Sequence, residues 1–95
     1  MLRAEYSGFK NITSATTTLV KAGPGVLVGI TVNKAVASGV YTLFDSLTGS
    51  GLAIGTITMP AALLASQVYL PYNVQFINGL TVVTSSTDDI TVSYL

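Results

Sequence analysis

The sequence predicts an all-β protein, an antiparallel sandwich of two sheets with about seven or eight short strands. Val, Ile and Thr make up 30 of the 95 residues, and these β-branched side chains fit a pleated strand better than a helix. Clusters of Gly, Asn, Asp and Ser interrupt the chain at short intervals, as turns do between short strands. We expect a jelly-roll arrangement, and an immunoglobulin-like sandwich is the alternative that periodicity alone leaves open.

Seven strands follow from alternation and composition, each bounded by turn residues. In chain order they cover residues 16–21, 26–33, 40–45, 52–58, 68–76, 80–84 and 89–95. An eighth strand is expected earlier, within either 2–6 or 7–12. Pro71 lies inside a predicted strand, which indicates a sheet edge or a bulge because proline cannot donate to a ladder. Residues 61–67 (AALLASQ) contain helix formers but are too few for a stable helix, so we expect a loop there with at most one helical turn.

The C-terminal segment predicts two consecutive hairpins. Asn78 and Gly79 form the strongest two-residue hairpin signal in the chain, because both central residues of a type I′ turn need positive φ. The sequence SSTDD, which ends at Asp89, is expected to form the turn of the last hairpin. Gly29 stands inside the strand at 26–33, which indicates that another backbone or side chain approaches it closely.

The composition indicates a single domain without catalytic function. We expect one β-sandwich domain over residues 11–95, preceded by an N-terminal arm over residues 1–10. The chain contains no Cys and no His, which excludes disulfides, thiol catalysis, Cys-based metal sites and histidine acid–base chemistry. No nucleophile lies in a recognisable pattern with a base, and we expect neither an enzyme nor a cofactor.

Nucleic acid, membranes and small-molecule substrates are not expected as partners. The four basic residues are too few and too dispersed for a phosphate-binding face. The glycine-rich stretch at 23–29 lacks the spacing and the following helix of a phosphate loop. The longest apolar run, residues 25–30, is far shorter than the roughly 18 residues of a membrane-spanning helix. The first ten residues lack the apolar core of a secretion signal, so synthesis in a host cytoplasm is expected.

The aspartates are the remaining candidates for a chemical site. Asp88 and Asp89 are adjacent at a strand start, so their side chains point to opposite faces and are poorly placed for shared acid–base work. We interpret them as turn residues whose carboxylates accept backbone hydrogen bonds. A weak calcium site near Asp45, or near the Asp88–Asp89 pair, is the alternative that the sequence leaves open, because calcium prefers hard oxygen ligands.

The low charge of the chain predicts self-association. Only 8% of the residues are charged, against about 25% in an ordinary soluble domain, and the mean hydropathy is +0.64. Because little repulsion keeps copies apart and apolar surface gains from being covered, we expect a homodimer or homotrimer. The candidate interface residues in the body of the chain are Leu47, Leu52, Leu63, Leu64, Tyr69 and Tyr72.

The distribution of charge suggests a role for the N-terminal arm. Four basic residues and one acidic residue fall in the first 34 positions, which therefore carry a net charge of +3, and the three acidic residues beyond them carry −3. We hypothesise that the arm docks on an acidic neighbour through Arg3, Tyr6 and Lys10.

Three segments together resemble a known type of virion protein. They are NITSATTTLVKAGPGVLVGITVN, YTLFDSLTGSGLAIGTI and NGLTVVTSSTDDITVSYL, and they span nearly all of the chain from Asn11 onward. In these turn and strand patterns the chain is similar to the small head decoration or cement proteins of tailed bacteriophages. The resemblance implies a β-sandwich that forms small oligomers and binds the major capsid protein on the exterior of the virion. It brings no catalytic or ligand-binding residues with it.

Two other functional classes fit the same observations. One is a different virion part, such as a tail, baseplate or fibre module that contacts host glycans. The other is a cellular β-sandwich that acts as a binding module. Fold-level resemblance alone does not separate these classes, because one fold hosts many functions.

Overall fold

The structure is a computed structural model that describes residues 8–62 and 67–95. Every regular element in these residues is a β-strand. The eight strands are β1 (Gly8–Ile12), β2 (Thr17–Ala22), β3 (Gly25–Lys34), β4 (Val40–Asp45), β5 (Leu52–Thr58), β6 (Val68–Phe76), β7 (Gly79–Thr84) and β8 (Asp89–Tyr94).

The strands form two four-stranded antiparallel sheets, packed as a sandwich. Sheet I has the order β1-β8-β3-β6 and sheet II has the order β2-β7-β4-β5. Strands 1 and 8, 2 and 7, 3 and 6, and 4 and 5 are neighbours, as if one long hairpin were folded across both sheets. This is the jelly-roll arrangement, which confirms the predicted fold class. The immunoglobulin-like alternative is wrong, because its sheets contain different strands.

The core lies between the two sheets and is built by residues that alternate along the central strands. In such strands every second side chain points inward, so inward positions are apolar. The side chains that are almost completely buried there are Leu27, Ile30, Val32, Tyr41, Leu43, Phe76, Leu80, Val82, Ile90 and Val92. Burying one such side chain stabilises the fold by about 1.5–3 kcal/mol.

The predicted strand bounds agree closely with the structure. Residues 40–45, 52–58 and 68–76 are strands as predicted, and the ends of the other four differ by one residue. The eighth strand is β1, within the predicted 7–12. Gly8, Phe9 and Lys10, which the prediction placed in the N-terminal arm, pair with β8 and are therefore part of sheet I. Residues 1–7 and the segment 63–66 lie outside the described residues, so the expectations for the rest of the arm and for a helical turn at 61–67 are not addressed.

The two predicted C-terminal hairpins are wrong. Strand β6 lies in sheet I, β7 in sheet II and β8 in sheet I, so both connections cross from one sheet to the other. Neither Asn78 nor Gly79 has a positive φ. Gly79 is closely surrounded instead: a Cβ there would lie 2.9 Å from Leu47 Cδ2 and 3.0 Å from the carbonyl oxygen of Lys21. The segment YTLFDSLTGSGLAIGTI does form a hairpin, from β4 and β5.

The expectations for Pro71 and Gly29 are confirmed together. Strand β6 is the edge of sheet I, and Pro71 pairs with Gly29 at a shift in the register with β3. A Cβ at Gly29 would overlap the ring of Tyr69, so this glycine lets a tyrosine lie against the sheet.

Candidate functional site

One end of the sandwich gathers the β2–β3, β4–β5 and β6–β7 connections. We call it the Asp45 end, because Asp45 is the last residue of β4 and contacts the β6–β7 connection. Backbone hydrogen bonds join the three loops: the Gly23 amide donates to the Asn78 carbonyl at 3.0 Å, and the Ser46 amide donates to the Gly79 carbonyl at 3.1 Å. These contacts hold the loops as one surface.

Asp45 caps the β6–β7 connection with its carboxylate. Its Oδ1 accepts the Asn78 amide at 2.8 Å, and both carboxylate oxygens lie 3.1 Å from the Ile77 amide nitrogen. The hydrogen bond from Asn78, supported by those from Ile77 and Gly79, holds the pKa of Asp45 below its ordinary value of 3.8, against the opposing effect of burial. The carboxylate acts as a structural acceptor, since these bonds replace the ladder that a hairpin would supply at this turn.

Acid is expected to destabilise the fold through Asp45. A group with a depressed folded-state pKa contributes stability that is complete above the unfolded value of 3.8 and is lost as the pH falls through the folded-state pKa. Asp45→Asn should therefore lower the free energy of unfolding at neutral pH and flatten its decline in acid. Urea titrations from about pH 6 to about pH 2 measure both effects. An Asp45→Asn variant with the wild-type acid dependence would contradict this prediction.

Three exposed apolar side chains lie at the Asp45 end. Leu47 is 54% exposed, Leu52 is 69% exposed and Ile77 is 73% exposed. Two of them are linked to Asp45 through the backbone: Leu52 pairs with it across the β4–β5 hairpin, and Ile77 donates its amide to the carboxylate. Sequence analysis named the two leucines as interface residues and missed Ile77. Ile77 directly precedes Asn78–Gly79, and this position beside a predicted turn was the sequence feature that could have indicated an exposed apolar residue.

The other predicted interface residues do not join this surface. Tyr69 lies on the outer face of sheet I and is 49% exposed. Tyr72 is half-buried and packs against the core, with its hydroxyl close to Gly55 of the other sheet. Lys10 is exposed on β1. The remaining candidates, Arg3, Tyr6, Leu63 and Leu64, lie outside the described residues.

Asp88 is buried at the opposite end of β4 from Asp45. Its Oδ2 accepts the Tyr41 hydroxyl at 2.5 Å and the Val36 amide at 2.9 Å. Its Oδ1 is buried and has no hydrogen-bond partner among the described residues. A Cβ at Gly39 would lie 2.6 Å from both oxygens, so only glycine fits beside the carboxylate. Burial raises the pKa of Tyr41, and the hydrogen bond to Asp88 adds to this effect.

The arrangement of the aspartates bears on the calcium hypothesis. Asp45 and Asp88 contact opposite ends of the six-residue strand β4, about 15–20 Å apart, so they cannot share an ion. In residues 8–62 and 67–95 no three Asp, Glu, His or Cys side chains come together as a metal would require. Asp88 points inward, whereas Asp89 lies on the outer face of sheet I. The expected opposite orientation of the pair is confirmed.

No helix in the described part of the chain is long and apolar enough to cross a membrane. Comparisons with protein-family models, with curated proteins and with solved structures find no match to this chain. The fold and its loops define the class: an eight-stranded jelly-roll sandwich with an apolar loop surface at one end.

Proposed function

We propose that this protein is a structural subunit that self-associates and coats the outside of a bacteriophage head. The observation that carries the proposal is the set of exposed apolar residues Leu47, Leu52 and Ile77 at the Asp45 end. Exposed large apolar side chains that gather at one end of a small domain favour that end as a site of protein–protein contact. The shared hydrogen bonds of the three loops keep this surface ordered, so little conformational entropy is lost when a second copy covers it.

The low charge of the chain supports self-association rather than a monomeric state. The net charge is zero and only eight side chains are formally charged, so electrostatic repulsion between copies is weak. Two of the acidic groups, Asp45 and Asp88, are engaged in holding the fold. The surface therefore offers apolar contact area with little charge to oppose its burial.

The resemblance to phage decoration proteins supports the choice of a capsid as the partner. A head shell under pressure from its genome gains stability from any ligand that binds only the mature shell, by mass action. That function needs binding area and copy number, and it requires neither turnover nor a cofactor. A homodimer or homotrimer on the capsid exterior, bound to the major capsid protein, satisfies these requirements.

Self-association is the first prediction to test. Wild-type protein at micromolar concentration should sediment as a dimer or trimer, whereas the double variant Leu52→Asp/Ile77→Asp should sediment near the chain mass of 9.8 kDa. The two introduced carboxylates would be buried without partners in any complex that uses this surface. Val68→Asp is the matched control, since Val68 is 40% exposed at the first residue of β6, the opposite end of that strand from Ile77, and this variant should remain oligomeric. Circular dichroism verifies that each variant is folded.

A monomeric wild-type protein, or an oligomer unaffected by the double variant, would contradict the assigned surface. The head location is tested separately by adding gold-labelled protein to phage particles and imaging them in negative stain. Label over the whole head supports a decoration protein, and label at the tail favours a tail, baseplate or fibre module. A stable monomer that binds a ligand and no particle favours a cellular binding module.

A further inference from the structure

The outer face of sheet I carries a preorganised polar cluster. Asn11 on β1 donates its Nδ2 to Asp89 Oδ1 at 2.8 Å, and Asn33 on β3 donates its Nδ2 to the same oxygen at 3.2 Å. Asn33 also donates to Thr91 Oγ1 at 3.0 Å. One carboxylate oxygen is thus held by amides from both neighbouring strands. Among the described residues no hydrogen bond reaches the other oxygen of Asp89, which leaves it available as an acceptor.

An aromatic ring lies on the same face, beside the cluster. The ring of Tyr69 lies against the backbone of Gly29, at a distance that leaves no space for a Cβ. One side of the ring is therefore covered, and the 49% exposure of Tyr69 leaves surface of the residue in solvent. The Tyr69 hydroxyl lies 3.5 Å from the Val28 carbonyl oxygen, so the tip of the side chain lies over β3.

The register of the strands places the ring and the polar cluster within reach of one extended ligand. Along β3, Gly29 under the ring is two residues from Thr31 and four from Asn33, or about 7–13 Å at the rise of a strand. Phe9 on β1 pairs with Ser93, which pairs with Gly29, so a second exposed aromatic lies two strands away, about 10 Å across the sheet.

We propose that this face binds a neutral oligosaccharide. A pyranose ring presents an apolar C–H face that stacks on the negative face of an aromatic ring, and its hydroxyls both donate and accept hydrogen bonds. The Tyr69 ring supplies the stacking surface. The second carboxylate oxygen of Asp89 accepts sugar hydroxyls in charge-assisted bonds, and Thr91 and Thr31, which pair with each other, border the same position. The proposal stands independently of the capsid function, because this face and the Asp45 end do not share residues.

The same chemistry argues against other classes of ligand. A phosphate or a carboxylate-bearing sugar would face the Asp89 carboxylate, and among the described residues the hydrogen-bond donors of this cluster are Asn side chains rather than Lys or Arg. Protein–protein interfaces have an apolar centre that loses its water on binding. The middle of this face consists instead of hydroxyls, amides and one carboxylate. A neutral polyol chain meets neither obstacle.

The test is NMR titration of the full ¹⁵N-labelled chain with cellohexaose, maltohexaose, laminarihexaose and chitohexaose at millimolar concentration. At least one of these neutral glycans should shift resonances of β1, β8 and β3 residues on the outer face, including Gly29 and Asn33. Tyr69→Ala should weaken that binding by about three- to tenfold, the affinity equivalent of one aromatic contact. Asp89→Ala should weaken glycan binding more than Tyr69→Ala does, whereas Leu19→Ala on sheet II should leave binding unchanged.

The proposal would be overturned by no shift with any of the four glycans, by shifts confined to the Asp45 end, or by unchanged affinity in both site variants. A preference for sialyllactose or for a single-stranded oligonucleotide over the neutral glycans would also overturn it. Because Asp89→Ala removes hydrogen bonds that hold β1, circular dichroism and thermal unfolding accompany each titration. Tyr69→Ala removes no buried contact between the sheets and keeps the test decisive if Asp89→Ala unfolds.

Discussion

Replacing Asp88 with alanine is expected to lower the free energy of unfolding by about 1–4 kcal/mol, because one buried donor and one partly buried donor then lose their acceptor, at up to about 1–3 kcal/mol for a buried group. The donors are the Tyr41 hydroxyl and the Val36 amide. Domains of this size are stable by about 5–14 kcal/mol, so the variant would lie close to the unfolding threshold. Urea denaturation followed by circular dichroism measures the loss.

Asp88→Asn is the informative control. Its carboxamide oxygen can still accept from Tyr41 and Val36, while the buried negative charge is removed. It does place an amide donor near Gly39, where Asp88 Oδ1 has no partner among the described residues. We expect Asp88→Asn to be clearly more stable than Asp88→Ala. Equal stability of Asp88→Ala and the wild type would show that the buried carboxylate does not hold this end of the sandwich together.

The second large effect is expected for Leu43→Ala in the core. Leu43 is fully buried on β4, where it faces the other sheet, and truncating such a leucine costs about 2–5 kcal/mol through lost burial and the cavity left behind. Thermal unfolding should show a lower midpoint, and denaturant titration should show an unchanged slope, since the surface exposed on unfolding is nearly the same.

Leu19→Ala is the matched control for Leu43→Ala. Both residues are leucines in strands of sheet II, but Leu19 is half exposed on its outer side. Its truncation should cost less than about 1 kcal/mol. If the two variants lost equal stability, the assignment of inner and outer faces in sheet II would be incorrect.

Much of the secondary structure could be predicted from local patterns. Alternation and β-branched composition placed β4, β5 and β6 at their observed bounds, because these signals arise from the residues of one strand. Pro71 correctly indicated the edge of a sheet, since a residue without an N–H cannot serve two neighbours. Leu47 and Leu52, which the sequence offered as apolar interface candidates, are exposed in the structure.

The partition of strands between the sheets could not be predicted in the same way. Asn78–Gly79 satisfies the local rule for a hairpin, yet the chain crosses between sheets there, and Asp45 from a distant strand accepts the turn's amides. The polar cluster of Asn11, Asn33 and Asp89 escaped notice for a similar reason. Its members are up to 78 positions apart in the chain, and only pairing of three strands brings them together.

The amino-acid sequence by itself determined that this protein is built of short strands, that it lacks the side chains for thiol or histidine chemistry, and that it carries little charge. The tertiary structure decided which strands are neighbours, which aspartates hold the fold together, and which apolar and polar side chains lie at the same end or on the same face of the sandwich. The physical reason is range. Strand propensity and alternation act between adjacent residues, whereas sheet order and shared surfaces depend on contacts between segments that meet only when the whole sandwich closes.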